Sequence, residues 1–491
     1  MTQRMRPLMV LGCTSGAGKS LLVTALARWF ARQGVDVVPF KAQNMSNNAR
    51  VVAGGEIGVA QWLQARAAGR EPVPDMNPVL LKPEADTRSQ VVVAGRPRHD
   101  LTAMPWGDRG PHLWPAMAGA FDRLHGRHEL VVVEGAGSPA EINLPDMVNN
   151  RVLVHADASA VLVADIDRGG AFAHLFGTWA LVPEETRRRL AAFVLNRFRG
   201  DADLLEPGPA LLAERTGMRA AGVVPLLDHE LPDEEGATVR ARPPAGAPVV
   251  AVVRYPFASN LDELHLLGHA AHVRWATRAA DLDGADLVVL PGSKHVAADV
   301  AWVRRHDLDA ALVARAALGG RILGICGGCM MLGESVVDGA GVEGATRGLG
   351  LLTLRTDMDP AKVTRATTVT FPPLGAPWTA LGGVEAAGYE IRNGQVTADG
   401  CRLAPLLWGS GSVLGTTVHG LLESPAVLEA LCGQRPPPVL DATFDALADA
   451  VDEHLDTRLL WDLVRPDREA GLRVGTTAPR SSRLGPADEH G

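Results

Sequence analysis

Residues Pro7–Gly12 form an unbroken apolar run that enters Gly12-Cys13-Thr14-Ser15-Gly16-Ala17-Gly18-Lys19-Ser20 at the head of an amphipathic helical stretch. No other stretch limits the fold as tightly. A strand, a glycine-rich turn and a helix in that order make a βα unit, and such units bury their apolar faces by building a parallel sheet. Five more strand candidates follow: Val35–Phe40, Leu130–Val133, Ala160–Ala164, Ala192–Leu195 and Ala221–Val224. Each is short, rich in Val, Leu or Ala, and ends in a polar or glycine-rich turn. Continuous apolar strands of this kind are covered on both faces. An α/β domain with a parallel sheet is therefore expected over residues 1–230.

Asp228–Pro248 is polar and rich in Pro and Gly, and residues 231–248 read as a linker. A second α/β domain is expected over residues 249–445, with strands Val249–Val253, Leu287–Leu290, Arg321–Ile325 and Val413–Thr417. A helix with apolar and acidic positions is expected from Asp441 to about Leu463, with residues 446–465 set apart as a C-terminal helix. The tail 466–491 has few large apolar residues and is expected to be mobile.

Composition serves here to exclude. The net charge is −8, with no basic stripe, so nucleic acid is not an expected partner. No apolar run reaches membrane-spanning length, so no membrane is expected either. The N-terminus lacks the apolar region and cleavage site of a secretion signal. The five cysteines, Cys13, Cys326, Cys329, Cys401 and Cys432, are scattered and odd in number. That argues against a disulfide framework and fits a reducing cytoplasm.

The turn Gly12–Ser20 offers backbone amides at a helix N-terminus, a setting suited to phosphate. In this pattern Gly12, Thr14, Ser15, Gly16, Ala17 and Gly18 wrap the phosphates of ATP. Lys19 reaches the outer ones, and Ser20 ligates Mg²⁺. Five residues separate Gly12 from Gly18, one more than usual, so the loop is a variant. Glu134 ends the run Leu130-Val-Val-Val-Glu134, where parallel sheets bind ligands, and is expected to complete the Mg²⁺ site. A solvated strand-end acid is the plainer alternative. Asp165 and Asp167 end the next strand and are candidates for substrate or metal, or for helix capping. Pro39-Phe-Lys41-Ala-Gln43-Asn44-Met-Ser46-Asn47-Asn48 is densely polar. Lys41 is the candidate for a fixed positive charge beside a transferring phosphoryl group. Gln43, Asn44, Ser46 and Asn47 are candidates for a polar substrate, with a solvated loop as the alternative.

In the second half, Arg321-Ile-Leu-Gly-Ile-Cys326-Gly-Gly runs an apolar strand through a sharp turn into a helix. A nucleophile at such an elbow is exposed at the sheet edge, and helix amides favour its thiolate. The amide of Gly327 is a natural oxyanion donor, with Gly292 in Pro291-Gly292-Ser293 as a second. An inert buried cysteine is the alternative. His419, in Gly415-Thr-Thr-Val-His419-Gly, follows a strand and is the best candidate base. Glu423 lies four residues further on, a spacing that by itself carries no argument.

Taken in order, GCTSGAGKS, PFKAQNMSNNA, Gly54-Gly55-Glu56-Ile57-Gly58 with Ala60-Gln61, MNPVLLKPEADTRSQV, VEGAGSPAEINL, ADIDRGGAFA, NRFRGD, LPGSKH, GICGGCMMLG, GYEIRNG and TTVHG resemble the cobyric acid synthase family. The resemblance covers roughly residues 5–465. PFKAQNMSNN followed by VEGAGSPAEINL distinguishes it from cobyrinic acid a,c-diamide synthase. The first half is also similar to dethiobiotin synthetase, whose phosphate loop has the same spacing. The second half is similar to class I glutamine amidotransferases, with a flavodoxin-like fold. The resemblance implies three substrates: a corrinoid acid (adenosylcobyrinic acid a,c-diamide), glutamine and ATP. It implies amidation of the b, d, e and g carboxylates through acyl phosphates, with ammonia from glutamine. Carried over, Cys326 is the glutaminase nucleophile and His419 its base, while Lys19, Ser20 and Glu134 serve ATP and Mg²⁺. Asn196 matches an adenine-reading position.

Three departures stand out. Gly16 replaces an Asp usual in the family, and Cys329-Met330 replaces Tyr-Gln. His419-Gly-Leu lacks the acid of the wider His-x-Glu pattern, which implies a Cys–His dyad. Rival expectations are another amide ligase of the same architecture (the a,c-diamide synthase or a cell-wall amidating enzyme) and a P-loop regulatory ATPase with a degenerate glutaminase domain.

Overall fold

The computed structural model describes residues 4–85, 88–143, 146–232 and 243–465. Within the expected linker, residues 233–242 lie outside the described residues, as does the expected tail 466–491.

The first sheet contains β1 (Leu8–Gly12), β2 (Val37–Phe40), β3 (Leu130–Glu134), β4 (Ser159–Asp165), β5 (Leu190–Phe198) and β6 (Arg219–Pro225). Its order is β6-β5-β4-β1-β3-β2, with every pair parallel. All residues of β1 to β4 are buried, as unbroken apolar runs require. Alternate side chains of β1 feed separate cores. Leu8 and Val10 pack with α1 (Lys19–Arg32) and α2 (Val59–Ala67), while Met9 and Leu11 pack with α3 (Gly110–Arg127) and α4 (Ala171–Leu181). From β1 the chain builds β2 and β3 on one side, then β4, β5 and β6 on the other. The order reverses at β1, and the crevice beyond its carboxyl end, flanked by β3, is where such sheets take ligands. Gly12 and Glu134 end those two strands.

Between β2 and β3 lies an insertion with a four-stranded sheet formed by Gln43–Met45, Val79–Ala85, Arg88–Val93 and Arg96–Pro97. The polar run after β2 is thus part strand: Gln43, Asn44 and Met45 pair with Val79, Leu80 and Leu81.

The second sheet is built from β7 (Val249–Val253), β8 (His272–Ala276), β9 (Leu287–Leu290) and β10 (Arg321–Ile325). After a long antiparallel hairpin, β11 (Leu354–Thr370) and β12 (Glu385–Ala398), it is completed by β13 (Arg402–Ala404), β14 (Leu407–Ser410) and β15 (Val413–Thr416). Its order is β8-β7-β9-β10-β15-β14-β13, parallel through β15 and antiparallel beyond. The short α5 (Gly327–Leu332) follows β10.

The expected single C-terminal helix is two, α6 (Leu440–His454) and α7 (Thr457–Val464). Asp456 separates them and caps α7, accepting from Leu459 N at 3.0 Å. The expected boundary between residues 445 and 446 falls inside α6. Both helices return to the first domain. Arg28 Nε donates to Asp445 at 2.8 Å and Trp29 Nε1 to Asp452 at 2.6 Å. Phe444, Leu447, Val451, Leu459 and Leu460 share a core with β1 and α1. Among the described residues, no helix is long and apolar enough to cross a membrane.

Candidate active site

The phosphate loop is held from beneath. Gly18, at φ +97°, is the left-handed residue before α1, and a Cβ there would meet Asn196 Nδ2 at 2.0 Å. Asn196 Nδ2 donates to Ala17 O at 2.9 Å. Asn196, expected at an adenine-reading position, thus braces the loop through its amide nitrogen. Gly12 leaves room for Lys19 Nζ, which donates to Thr14 O at 3.2 Å and Gly137 O at 3.0 Å. Lys19 thus curls over its own loop.

Glu134 gathers three partners. Ser20 Oγ donates to it at 2.8 Å, Gln64 Nε2 at 2.5 Å, and Lys41 Nζ lies 2.7 Å away. Burial works against the carboxylate, but Lys41 and the two neutral donors outweigh it and hold the Glu134 pKa below its usual value. The pair Ser20 Oγ and Glu134 Oε1 suits a hard cation. Octahedral Mg²⁺ with bonds of about 2.0–2.1 Å sets neighbouring oxygens about 2.9 Å apart.

These groups face a cavity of about 830 Å³. Ser15, Gly16, Gly18, Lys19 and Ser20 line it, as do Lys41, Gln43, Asn44 and Glu134. Other candidates lie off it. Ser46 Oγ accepts from Asn48 N at 3.1 Å, and Asn47 lies beyond the lining. Asp165 and Asp167 are also elsewhere. Asp165 holds Arg197 at 3.0 Å and Arg168 at 3.3 Å, and Asp167 holds Arg199 at 3.1 Å. Arg197, which the strand-end pattern did not single out, does line the cavity.

Cys326 stands at φ 51°, ψ −107° between β10 and α5, a strained elbow for a non-glycine residue. The strain is held by contacts. Cys326 N donates to Thr416 O at 2.7 Å, and Gly328 N to Pro291 O at 3.0 Å. Gly328 tolerates no side chain, because a Cβ would meet Leu290 O at 2.0 Å. Tyr255 Oη also donates to Pro291 O, so that carbonyl is held by two donors. A Cβ on Gly292 would meet His419 Cε1 at 2.7 Å, and one on Gly327 would meet Ser293 N at 2.6 Å. The two candidate oxyanion turns therefore touch each other and the imidazole. Gly292 is paired with Ser259 across a short antiparallel ladder.

His419 hydrogen-bonds Cys326 on one side and Glu263 on the other. The His419 Nδ1–Glu263 Oε1 distance is 2.9 Å, and Glu263 Oε2 accepts from Gly420 N at 2.7 Å. The expected dyad is thereby corrected to a Cys–His–Glu constellation. Its acid comes from the 3₁₀ turn Leu261–Leu264, not from the residues after His419. Glu423 instead pairs with Arg50. Burial opposes a charged imidazole, but Cys326 and Glu263 prevail and raise the His419 pKa to about 10. Cys329 is fully buried against Gly415, and burial pushes its thiol pKa well up, so it packs as a small apolar residue.

Two family models divide the chain as the sheets do. The model described as CobQ/CobB/MinD/ParA nucleotide binding domain matches residues 8–237, and the CobB/CobQ-like glutamine amidotransferase domain matches residues 249–427. A cobyric acid synthase of Variovorax paradoxus (strain S110) is 53% identical over 94% of this chain and 99% of its own. The chain belongs to the cobyric acid synthase family. A second cobyric acid synthase, from Paracidovorax citrulli (strain AAC00-1), is 54% identical over 92% of this chain and 97% of its own. A solved glutamine amidotransferase covers 41% of this chain at 19% identity and a TM-score of 0.28, too loose a match to argue from. The cobyric acid synthase resemblance read from the motifs is thus matched along nearly the whole chain, and the nucleotide-binding match points to ATP.

Proposed function

We propose that this chain converts adenosylcobyrinic acid a,c-diamide to adenosylcobyric acid, amidating four side-chain carboxylates with ATP and glutamine. One observation carries the reading. A chain matched nearly end to end by cobyric acid synthases holds a phosphate loop facing an acid–serine pair and, separately, a cysteine joined to a buried His–Glu pair.

Each half-site has its own task. A carboxylate is a poor acyl donor, because its leaving group would be oxide, and phosphorylation replaces that with phosphate. The transfer needs positioning and charge neutralisation more than covalent help. Lys19 exchanges its carbonyl partners for the outer phosphates, and Lys41 offsets charge on the transferring group. Ser20 and Glu134 would hold Mg²⁺, which would neutralise phosphate charge. Gln43, Asn44 and Arg197 face the acceptor.

At the other site the Cys326 thiolate attacks the glutamine amide carbon. Amides of Gly327 and the Gly292–Ser293 turn receive the oxyanion. The His419 imidazolium gives its proton to the departing ammonia while Glu263 fixes the ring. Water then cleaves the thioester to glutamate. Ammonia released here escapes protonation only along a protected path to the acyl phosphate.

Mass spectrometry after incubation with the a,c-diamide, glutamine and Mg-ATP tests the reading. Four successive amide products are expected. Glutamine and ATP turnover without any amidated corrinoid would refute it.

A further inference from the structure

Outside both reaction centres, three ligand-bearing side chains meet at the seam between the domains. Glu230 lies just before the linker, in the segment that leaves β6. His265 stands between two consecutive 3₁₀ turns of the second domain, Leu261–Leu264 and Leu266–His269, and His269 ends the second of them. Glu230 Oε2 is 3.1 Å from His269 Nε2 and 3.6 Å from His265 Nε2. Donor atoms of all three lie within 4.8 Å of one another. Tetrahedral Zn²⁺, with bonds of about 2.0–2.1 Å, spaces its ligands about 3.3 Å apart. The two measured distances straddle that spacing.

His265 is 7% exposed, and its Nε2 is buried without a hydrogen-bond partner. Its ring is hydrogen-bonded to the backbone of Glu230. That bond must use Nδ1, whose N–H then donates to the carbonyl. The tautomer so fixed turns the Nε2 lone pair toward the Glu230 carboxylate. The buried nitrogen thus faces a carboxylate that is itself part exposed and already beside His269, and leaving that nitrogen unpaired costs free energy unless a cation joins the three. A proton on Nε2 is a poor bridge at 3.6 Å, beyond hydrogen-bond range. A metal ligand whose second ring nitrogen donates to a carbonyl is the usual arrangement of histidine sites.

We propose that Glu230, His265 and His269 bind a first-row divalent cation of the Zn²⁺ type. Two imidazoles and one carboxylate leave a fourth position for water. The site fastens residues 229–232 to the second domain. His229, Leu231, Pro232 and His265 form one wall of the 830 Å³ cavity, so the cation fixes that wall.

The test uses the full chain, stripped by chelator and titrated with Zn²⁺ by calorimetry and with Co²⁺ by visible absorbance. One tight site per chain is expected, with the intense Co²⁺ bands of a four- or five-coordinate centre. His265→Gln with His269→Gln should weaken binding at least about 100-fold while leaving the far-ultraviolet circular dichroism of the metal-free protein unchanged. Cys326→Ser should bind like the wild type. Equal affinity in the double histidine variant, loss of the site in Cys326→Ser, or no binding tighter than millimolar would each overturn the proposal.

Discussion

The charge on His419 decides whether the thiol chemistry runs. Burial opposes a charged ring, but Cys326 and Glu263 hold its pKa near 10, so the imidazole keeps its second proton at neutral pH. Glu263→Gln keeps the shape and removes one of the two partners that favour the charged ring. The imidazolium then loses support and deprotonates at lower pH. The alkaline limb of glutaminase activity should move down by about 1–3 pH units, with kcat lower by about 10²–10⁴-fold. A pH profile of glutamate release checks this, and an unmoved limb would remove Glu263 from the constellation. Cys326 and His419 were legible in the sequence because each closes an apolar strand at a turn. Glu263 was not, because it lies 156 residues before His419 on a turn with no motif of its own. Asp165, Asp167 and Asn196 were legible as strand-end polar residues, but the arginines beside the two acids and the loop carbonyl beside Asn196 were not, because the sequence does not show which chain segment packs against a strand end.

At the scale of elements, the segment from Lys41 to Arg50 joins the two chemistries. Its first part reaches Glu134 through Lys41 and the cavity through Gln43 and Asn44. Its last part docks beside the acid of the triad. Asn48 Oδ1 accepts from Leu261 N at 3.0 Å, and Asn260 Nδ2 donates to Ala49 O at 2.8 Å and Tyr389 Oη at 3.0 Å. Arg50 pairs with Asp262, the neighbour of Glu263, and with Glu423. The sequence marked this run as a polar recognition stretch. Polar residues that dock a second domain look the same as residues that face a ligand, so its second role was hidden. Arg50→Met leaves Asp262 buried without its cation, a loss of about 3–5 kcal/mol in urea unfolding. Adding Asp262→Asn and Glu423→Gln to the same chain should restore most of that stability. If the triple variant is no more stable than Arg50→Met, the charge pairing is not what holds the docked turn.

Across the whole molecule, the first and last described segments meet on the same domain, where Arg6 N donates to Val464 O at 2.8 Å. The residues after the glutaminase sheet return as α6 and α7 to cover α1, the helix that carries Lys19 and Ser20. Their apolar and acidic alternation was legible as a helix, but its partner was not, since amphipathic faces do not name what they cover. Each fully buried Leu, Val or Phe contributes about 1.5–3 kcal/mol, and Phe444, Leu447, Val451, Leu459 and Leu460 all belong to this contact. Their sum is comparable to the whole stability of a domain, about 5–15 kcal/mol. A chain ending at Val439 should therefore lose amidation with ammonia as well as with glutamine, while its second domain still hydrolyses glutamine. Cys326→Ser should do the reverse, keeping ammonia-supported amidation and losing glutamine hydrolysis by more than about 10³-fold. Measuring glutamate and amidated corrinoid in both variants, with each nitrogen source, separates the two half-reactions. Should the shortened chain keep ammonia-supported amidation, α6 and α7 are dispensable to the phosphate site. Should Cys326→Ser lose it, the thiol serves more than glutamine.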